Sequence, residues 1–152
     1  MSNMTSIDAT DRAILRELTV DGRLSNVELA SRVGLTPAPC LRRVRRLEES
    51  GVIAGYRARL DPVAAGRDFC VYLLVQITMT SKEVVDQFEE MVASYEEVTE
   101  MRRVYGEIDY VIRVDVADSN AFERFQTEKM YPLPGVHRMV SHPTMKAVKS
   151  ND

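Results

Sequence analysis

The sequence predicts an α+β protein of two parts, and three observations predict it. The first is charge: residues 1–60 hold ten arginines against seven acids, a balance of +3, whereas residues 61–152 hold ten lysines and arginines against sixteen acids, a balance of −6. The second is helical punctuation in the first part, where Ser25, Gly34 and Thr36 mark one helix start, a stop and a second start within a short span. The third is alternation of strand-like and helix-like patterns from residue 69 onward. With 152 residues, 45% apolar and 28% charged, the chain can build two small cores, and wholesale disorder is excluded. The expected organisation is a first domain over 1–60, a hinge over 61–68 and a second domain over 69–152, with Asp61-Pro62 and Gly66 as the hinge residues.

Three helices and a short β element are expected in the first domain. From Asp8 to Thr19, Ile7, Ala13, Ile14, Leu15 and Leu18 form a broad apolar face, with Asp8 as N-cap and Asp11 in the first turn, where the helix dipole favours an acid. Ser25-Asn26-Val27-Glu28 is a capping box opening the second helix, and Gly34 ends it at the position that tolerates positive φ. The third helix starts two residues later, with Thr36 as N-cap, Pro37 at N1 and Pro39 at N3; first-turn amides have no intrahelical partner, so these prolines cost little. At 100° per residue Cys40, Val44 and Leu47 form one stripe, Ala38, Arg42, Arg45 and Arg46 face the opposite way, and Arg43 lies beside the stripe. Gly51 caps the helix, and Val52, Ile53, Tyr56, Ala58 and Leu60 alternate loosely as β structure.

The second domain reads β-α-β-β-α-β, the split βαβ or ferredoxin-like arrangement. Phe69 to Met79 is a strand with Phe69, Val71, Leu73, Val75 and Ile77 on one face and Cys70, Tyr72 and Leu74 on the other. Ser81 to Tyr95 is a helix, Val98 to Tyr105 a strand broken by Gly106, and Ile108 to Val116 another. Asp118 or Ser119 caps a helix carrying Phe122, Phe125 and Met130; Pro132 and Pro134-Gly135 stop it, and Val136 to Lys149 is a last, irregular strand. Such a sheet carries helices on one face only. Because both faces of strand 69–77 ask for burial, a second copy is expected to cover the open face.

The strongest chemical signal is helix, tight turn, helix over residues 25–50 with arginines facing outward. A helix entering a DNA major groove must be cationic and free of protruding apolar groups toward its N-terminal half. Arg42, Arg45 and Arg46 are the expected contacts to phosphates or guanine edges, with Thr36, Ala38 and Pro39 at the leading tip. Arg43, near the core stripe, is assigned to a structural ion pair instead. The alternative is a solvated charged face partly neutralised by Glu48 and Glu49.

A second candidate is the Gly106–Asp109 turn. A free amino acid is a zwitterion whose ammonium needs an acceptor and whose carboxylate needs amides or hydroxyls. Gly106 lets backbone amides come close, Asp109 could face the ammonium, Tyr105 flanks the turn and Ser141 on the last strand offers a hydroxyl. The alternative is a plain hairpin in which Gly106 supplies positive φ and Asp109 holds the loop.

The stretches Ser25-Asn26-Val27-Glu28-Leu29-Ala30, Val33-Gly34-Leu35-Thr36, Cys40, Arg42-Arg43-Val44, Leu47-Glu48 and Gly51-Val52-Ile53-Ala54-Gly55-Tyr56 closely resemble the Lrp/AsnC (feast/famine) family of transcription regulators. The resemblance continues through Leu60-Asp61-Pro62, Gly66, Gly106-Glu107-Ile108-Asp109-Tyr110, Leu133-Pro134-Gly135-Val136 and Val148-Lys149, so it covers nearly the whole chain. It implies a winged helix-turn-helix, a hinge strand and a C-terminal ligand-sensing (RAM) domain that forms homodimers, which assemble further into tetramers or octamers. It also implies a small effector, usually an amino acid, between dimers, with Gly106 and Asp109 matching the effector loop. Glu107 replaces the family's usual Asp, and Ser141-His142-Pro143-Thr144 departs from its usual last strand.

The expected function is therefore sequence-specific, cytoplasmic regulation of transcription at a pseudo-palindromic double-stranded DNA operator, tuned by an amino-acid effector. An effector-independent DNA-bridging protein is the alternative. No Gly-rich phosphate loop, HExxH, GxSxG or CxxC motif is present, so no enzyme activity and no cofactor are expected. His137 and His142 are five apart and point to opposite faces of a strand, and two cysteines, Cys40 and Cys70, are too few for a four-ligand zinc site, so no metal is expected. No apolar run approaches the roughly 18 residues of a membrane span. MSNMTSIDATDR lacks the basic flank and apolar core of a secretory signal. An RNA-binding reading is weaker, because the second domain is acidic and lacks stacked aromatics on its strands.

Overall fold

The computed structural model describes residues 6–78 and 81–149; the expected reach of the first sheet strand to Met79, and the first five residues of the stretch read for a signal, lie outside them. The chain divides into two compact units, Met1–Ala58 and Arg59–Asp152. The first packs helices α1 (Ala9–Val20), α2 (Asn26–Arg32) and α3 (Pro37–Glu49) around Ile14, Leu29, Ala30, Cys40 and Leu47, all buried. Both expected N-terminal signals operate. Asp8 and Asp11 form a reciprocal capping box on α1, and Ser25 and Glu28 form one on α2. At the end of α2, Gly34 takes φ +70°, the Leu35 amide bonds the Ala30 carbonyl at 2.9 Å and the Gly34 amide bonds that of Ser31 at 3.4 Å. That is a Schellman closure, and it makes the two-residue turn into α3 possible.

One expectation here holds by backbone position alone, and one fails. Thr36 is the N-cap of α3 by backbone position but makes no capping hydrogen bond. Pro39 occupies N3, so the amide that such a hydroxyl most often bonds is absent. The β element expected over 52–60 is not a strand; the segment has no ladder partner among the described residues. Alternating side chains alone cannot make a strand, because the backbone groups need a paired neighbour.

Helix α3 is tied to α1 by ions. Arg43 Nη1 donates to Asp8 Oδ2 at 2.7 Å and to Asp11 Oδ1 at 2.8 Å, and Arg46 Nη2 donates to Asp11 Oδ2. Asp11 is 0% exposed. Its carboxylate also accepts the Asp8 amide at 3.2 Å, so the buried charge is both neutralised and hydrogen-bonded.

In the second unit, β1 (Phe69–Ile77), α4 (Lys82–Ala93), β2 (Val98–Arg103), β3 (Tyr110–Val116), α5 (Ser119–Phe125) and β4 (Val136–Pro143) follow in the expected order. The sheet order is β2-β3-β1-β4, and every neighbouring pair is antiparallel. Asp61 starts a hydrogen-bonded turn before it, accepting the Ala65 amide at 2.9 Å through its carbonyl and the Ala64 amide at 2.8 Å through its carboxylate. Helix α5 continues into a π-helical turn, Gln126–Met130, that a helical repeat of 3.6 does not foresee. The last strand stops at Pro143 rather than Lys149, since the Thr144 amide bonds the Cys70 carbonyl near the start of β1 and among the described residues no strand neighbour continues beyond it.

Val71, Leu73 and Val75 of β1 and Ile112 and Val114 of β3 are buried against Phe88, Val92, Phe125 and Met130 of the helical layer. Phe88 and Tyr110 pack with ring centroids 5.0 Å apart, and the Tyr110 hydroxyl donates to Glu89 Oε1 at 2.6 Å. Burial first, then the Glu89 carboxylate, pushes the Tyr110 phenol up. Among the described residues of this unit, the opposite face carries no helix. The pairing register sets Tyr72 beside Arg113 and His142, Leu74 beside Val111 and Val140, and Gln76 beside Arg138. It is less apolar than the sequence pattern of β1 alone implies, because the flanking strands bring charges to it. Among the described residues no helix is long and apolar enough to cross a membrane.

Replacing Phe88 by Ala empties the centre of the second core. We expect a loss of about 3–5 kcal/mol in urea unfolding of that unit followed by circular dichroism. The Asp11 amide, then Arg43, hold the Asp8 carboxyl at about 2 against an ordinary 3.8. A carboxyl whose folded value is lowered stabilises the fold above its unfolded value, and that contribution disappears as pH falls through the folded one. Helicity of the full chain is therefore expected to acquire an acid-sensitive component between about pH 4 and pH 2 that the Asp8→Asn variant lacks, read by circular dichroism on acid titration.

Candidate functional site

The arginine run on α3 is not one uniform face. Arg42 and Arg45 are exposed, three apart on the row that points away from Cys40 and Leu47, and among the described residues neither is in an ion pair. Arg43 and Arg46, also three apart, turn about 100° toward α1 and reach the Asp8–Asp11 pair. The ion pair expected of Arg43 is thus present. Arg46, expected to face outward with Arg42 and Arg45, is half-exposed but has one nitrogen on Asp11. The wheel angle alone misses this, because a long guanidinium stem bends from the flank of a helix to the nearest buried charge. The available signal was an acid, Asp11, placed between Ile7 and Ile14 on an otherwise apolar face.

Thr36 and Ala38 are exposed at the N-terminal tip of α3, and Pro39 is half-buried beside them. That tip is fixed by a residue with no assigned role in the sequence reading. Asn26 Nδ2 donates to the Pro37 carbonyl at 2.7 Å, which stitches the start of α2 to the start of α3. The result is a helix whose exposed row is small near the tip and cationic further along, a shape and charge that fit a nucleic-acid groove.

The second candidate site lies at one end of the open sheet face. Gly106 has φ +133°, a conformation that strains any side-chain-bearing residue, and Tyr105 beside it is fully exposed. Asp109 is anchored at both ends: its amide donates to the Val75 carbonyl at 3.0 Å, and its Oδ2 accepts the Ile77 amide at 2.8 Å. That amide is available because the β1–β4 register shifts between Gln76 and Ile77. Gln76 Nε2 donates to the Glu107 carbonyl and holds the middle of the loop.

Beside this loop is a concavity of about 220 Å³ lined by Leu74, Gln76, Glu107, Ile108, Arg138, Val140 and His142. Ser141 is not part of it, which corrects the expectation that its hydroxyl joins the loop. It pairs across from Leu73, on the helix-covered face, and its Oγ accepts from Gln126 Nε2 at 3.1 Å. Strand alternation puts Val140 and His142 on the open face and Ser141 on the other. Arg138 escaped the sequence reading because the bulge that sets the register of β4 leaves no local mark. Among the described residues no cluster of His, Cys, Asp and Glu could hold a metal. Burial pushes both cysteine thiols up, away from reactivity.

Comparisons with known proteins divide the chain at the same place. A family model described as winged helix-turn-helix DNA-binding matches residues 7–54, and one described as Lrp/AsnC ligand binding domain matches residues 70–152. The leucine-responsive regulatory proteins of Escherichia coli and Klebsiella pneumoniae are each 40% identical over 146 residues, 96% of this chain and 89% of theirs. Among solved structures, a transcriptional regulator in complex with L-Met from Neisseria meningitidis superposes with a TM-score of 0.92 at 34% identity, over 95% of this chain and 94% of that one. An AsnC family transcriptional regulator from Agrobacterium tumefaciens gives 0.89 at 36% identity, over 94% and 93%.

Proposed function

The chain belongs to the Lrp/AsnC family of DNA-binding transcription regulators, whose members are regulators rather than enzymes, and on that premise we propose how its own residues divide the work. The first unit binds DNA and the second carries the ligand-binding domain. The observation that carries the residue assignment is the split of the arginine run. Arg42 and Arg45 face solvent as a pair free to take phosphates or guanine edges, with Thr36, Ala38 and Pro39 at the leading tip, where Ala38 or Pro39 can touch a thymine methyl. Arg46, with one nitrogen on Asp11, is left outside this reading pair.

Two copies pair through the open sheet face, whose centre of Leu74, Val111 and Val140 is covered by no helix among the described residues of this unit. The dimer then sets two recognition helices about one DNA turn, roughly 34 Å, or a multiple of it, apart on a pseudo-palindromic operator in the cytoplasm. Further association into tetramers or octamers places the Gly106 loops at contacts between dimers. The effector is a free amino acid, the class of molecule in the Neisseria complex. It binds at Tyr105, Gly106 and Asp109 and at the loop end of the adjoining concavity, where Arg138 supplies a cation for the carboxylate, Glu107 an anion for the ammonium, and Ile108 an apolar contact. Such a ligand changes DNA affinity only by binding one assembly better than another.

Arg42→Ala and Arg45→Ala should each weaken operator binding in a fixed-salt titration. A base-reading arginine costs about 1–3 kcal/mol and relaxes one position, whereas a phosphate contact lowers the salt slope by about one unit. Wild-type affinity in the double variant would remove the recognition helix from this role. Light scattering and DNA titration against the twenty amino acids should find at least one that shifts mass or affinity, with the response lost in Arg138→Ala. No response to any of them would favour an effector-independent bridging regulator.

A further inference from the structure

The buried carboxylate of Asp11 has a geometry that a simple stabilising ion pair does not require. Each oxygen is taken by a different arginine of α3, Oδ1 by Arg43 at 2.8 Å and Oδ2 by Arg46, and these two residues sit one turn apart on the same side of the helix. A single anchor lets a helix roll about its long axis. Two anchors one turn apart, both on a fully buried group of α1, oppose that roll. Arg42 and Arg45 are the residues immediately preceding the two anchors, so the anchors also fix the direction in which that pair projects. A roll of about 20° moves a group roughly 6 Å from the helix axis by about 2 Å, enough to break a bidentate hydrogen-bond pair to a base edge. Nonspecific phosphate contacts by flexible arginines tolerate such a shift.

We propose that Asp11, through Arg43 and Arg46, is a positioning residue for base discrimination: it sets the azimuth of the recognition helix without touching DNA. The proposal rests on the reading of α3 as the DNA-reading helix. It separates two roles within one arginine run, a reading pair at Arg42 and Arg45 and a clamping pair at Arg43 and Arg46.

The test uses the full chain, a duplex selected by the wild-type protein from a random-sequence pool, and a scrambled duplex of the same composition. Asp11→Asn keeps the shape of the side chain and removes its charge. In Asp11→Asn, verified as folded by circular dichroism, affinity for the scrambled duplex and the salt slope should stay within about twofold of wild type, while the ratio of selected to scrambled affinity falls at least tenfold. Arg46→Met, on the half-exposed flank and so open to substitution even if the Asp11 variant does not fold, should lower the same ratio with no change in salt slope. The Asp11→Asn/Arg46→Met double variant should lose no more than the worse single one. Undiminished discrimination in either folded single variant overturns the proposal, and so does a salt slope that drops by about one unit in Arg46→Met, which would make Arg46 a direct phosphate contact. Failure of the underlying reading looks different: Arg42→Ala and Arg45→Ala would then leave selected-duplex affinity unchanged.

Discussion

A carboxylate with no exposed surface has to be compensated from within the fold, and in the first unit that requirement organises everything around it. The core there is small, with Ile14, Leu29, Ala30, Cys40 and Leu47 as its buried apolar members, and Asp11 sits at its edge. The capping box of α1, the orientation of α3 and the partition of its arginines all meet at this one side chain. Removing both arginines would leave a buried charge without a cation, which is worse for stability than never having had the pair. The same contacts turn Arg43 and Arg46 toward α1, so the cationic face is narrower than its composition implies.

The second unit solves a different problem. A four-stranded sheet with helices on one side must hold its turns in place without packing on the other. Asp109 does this with its carboxylate on the Ile77 amide, and Gln76 does it with the Glu107 carbonyl. Tyr110, the next residue, is buried against Phe88 and bonded to Glu89, so the loop end is also fastened to α4. Elsewhere in the unit the π-turn brings Lys129 onto Glu97 at 2.7 Å and over the Tyr95 ring at 5.2 Å. A loop held this firmly can present backbone amides and a neighbouring Arg138 to a ligand without ordering cost at the moment of binding.

The opposite charges of the two units accord with this division. The arginine-rich unit suits a polyanion, and the acidic unit disfavours one. The matched family models divide the chain between residues 54 and 70, and the compact units divide it after Ala58.

The residue pattern by itself determined the succession of helices and strands along the chain and the helix-turn-helix, because caps, glycine stops and apolar periodicity are local and act within a few residues. It also separated Arg43 from its neighbours, since the wheel places it beside Cys40 and Leu47. Tertiary structure decided the rest. Arg46 was drawn to Asp11, which lies 35 residues away. Ser141 turned to the helical layer, a register defined by a bulge against β1. Residues 52–60 stayed unpaired because a strand needs a partner that alternation cannot supply. The concavity with Arg138 and His142 joins strands far apart in sequence. In each case the deciding contact is long-range, and a long-range contact between a charge and its partner, or a strand and its register, leaves no periodic trace along the chain.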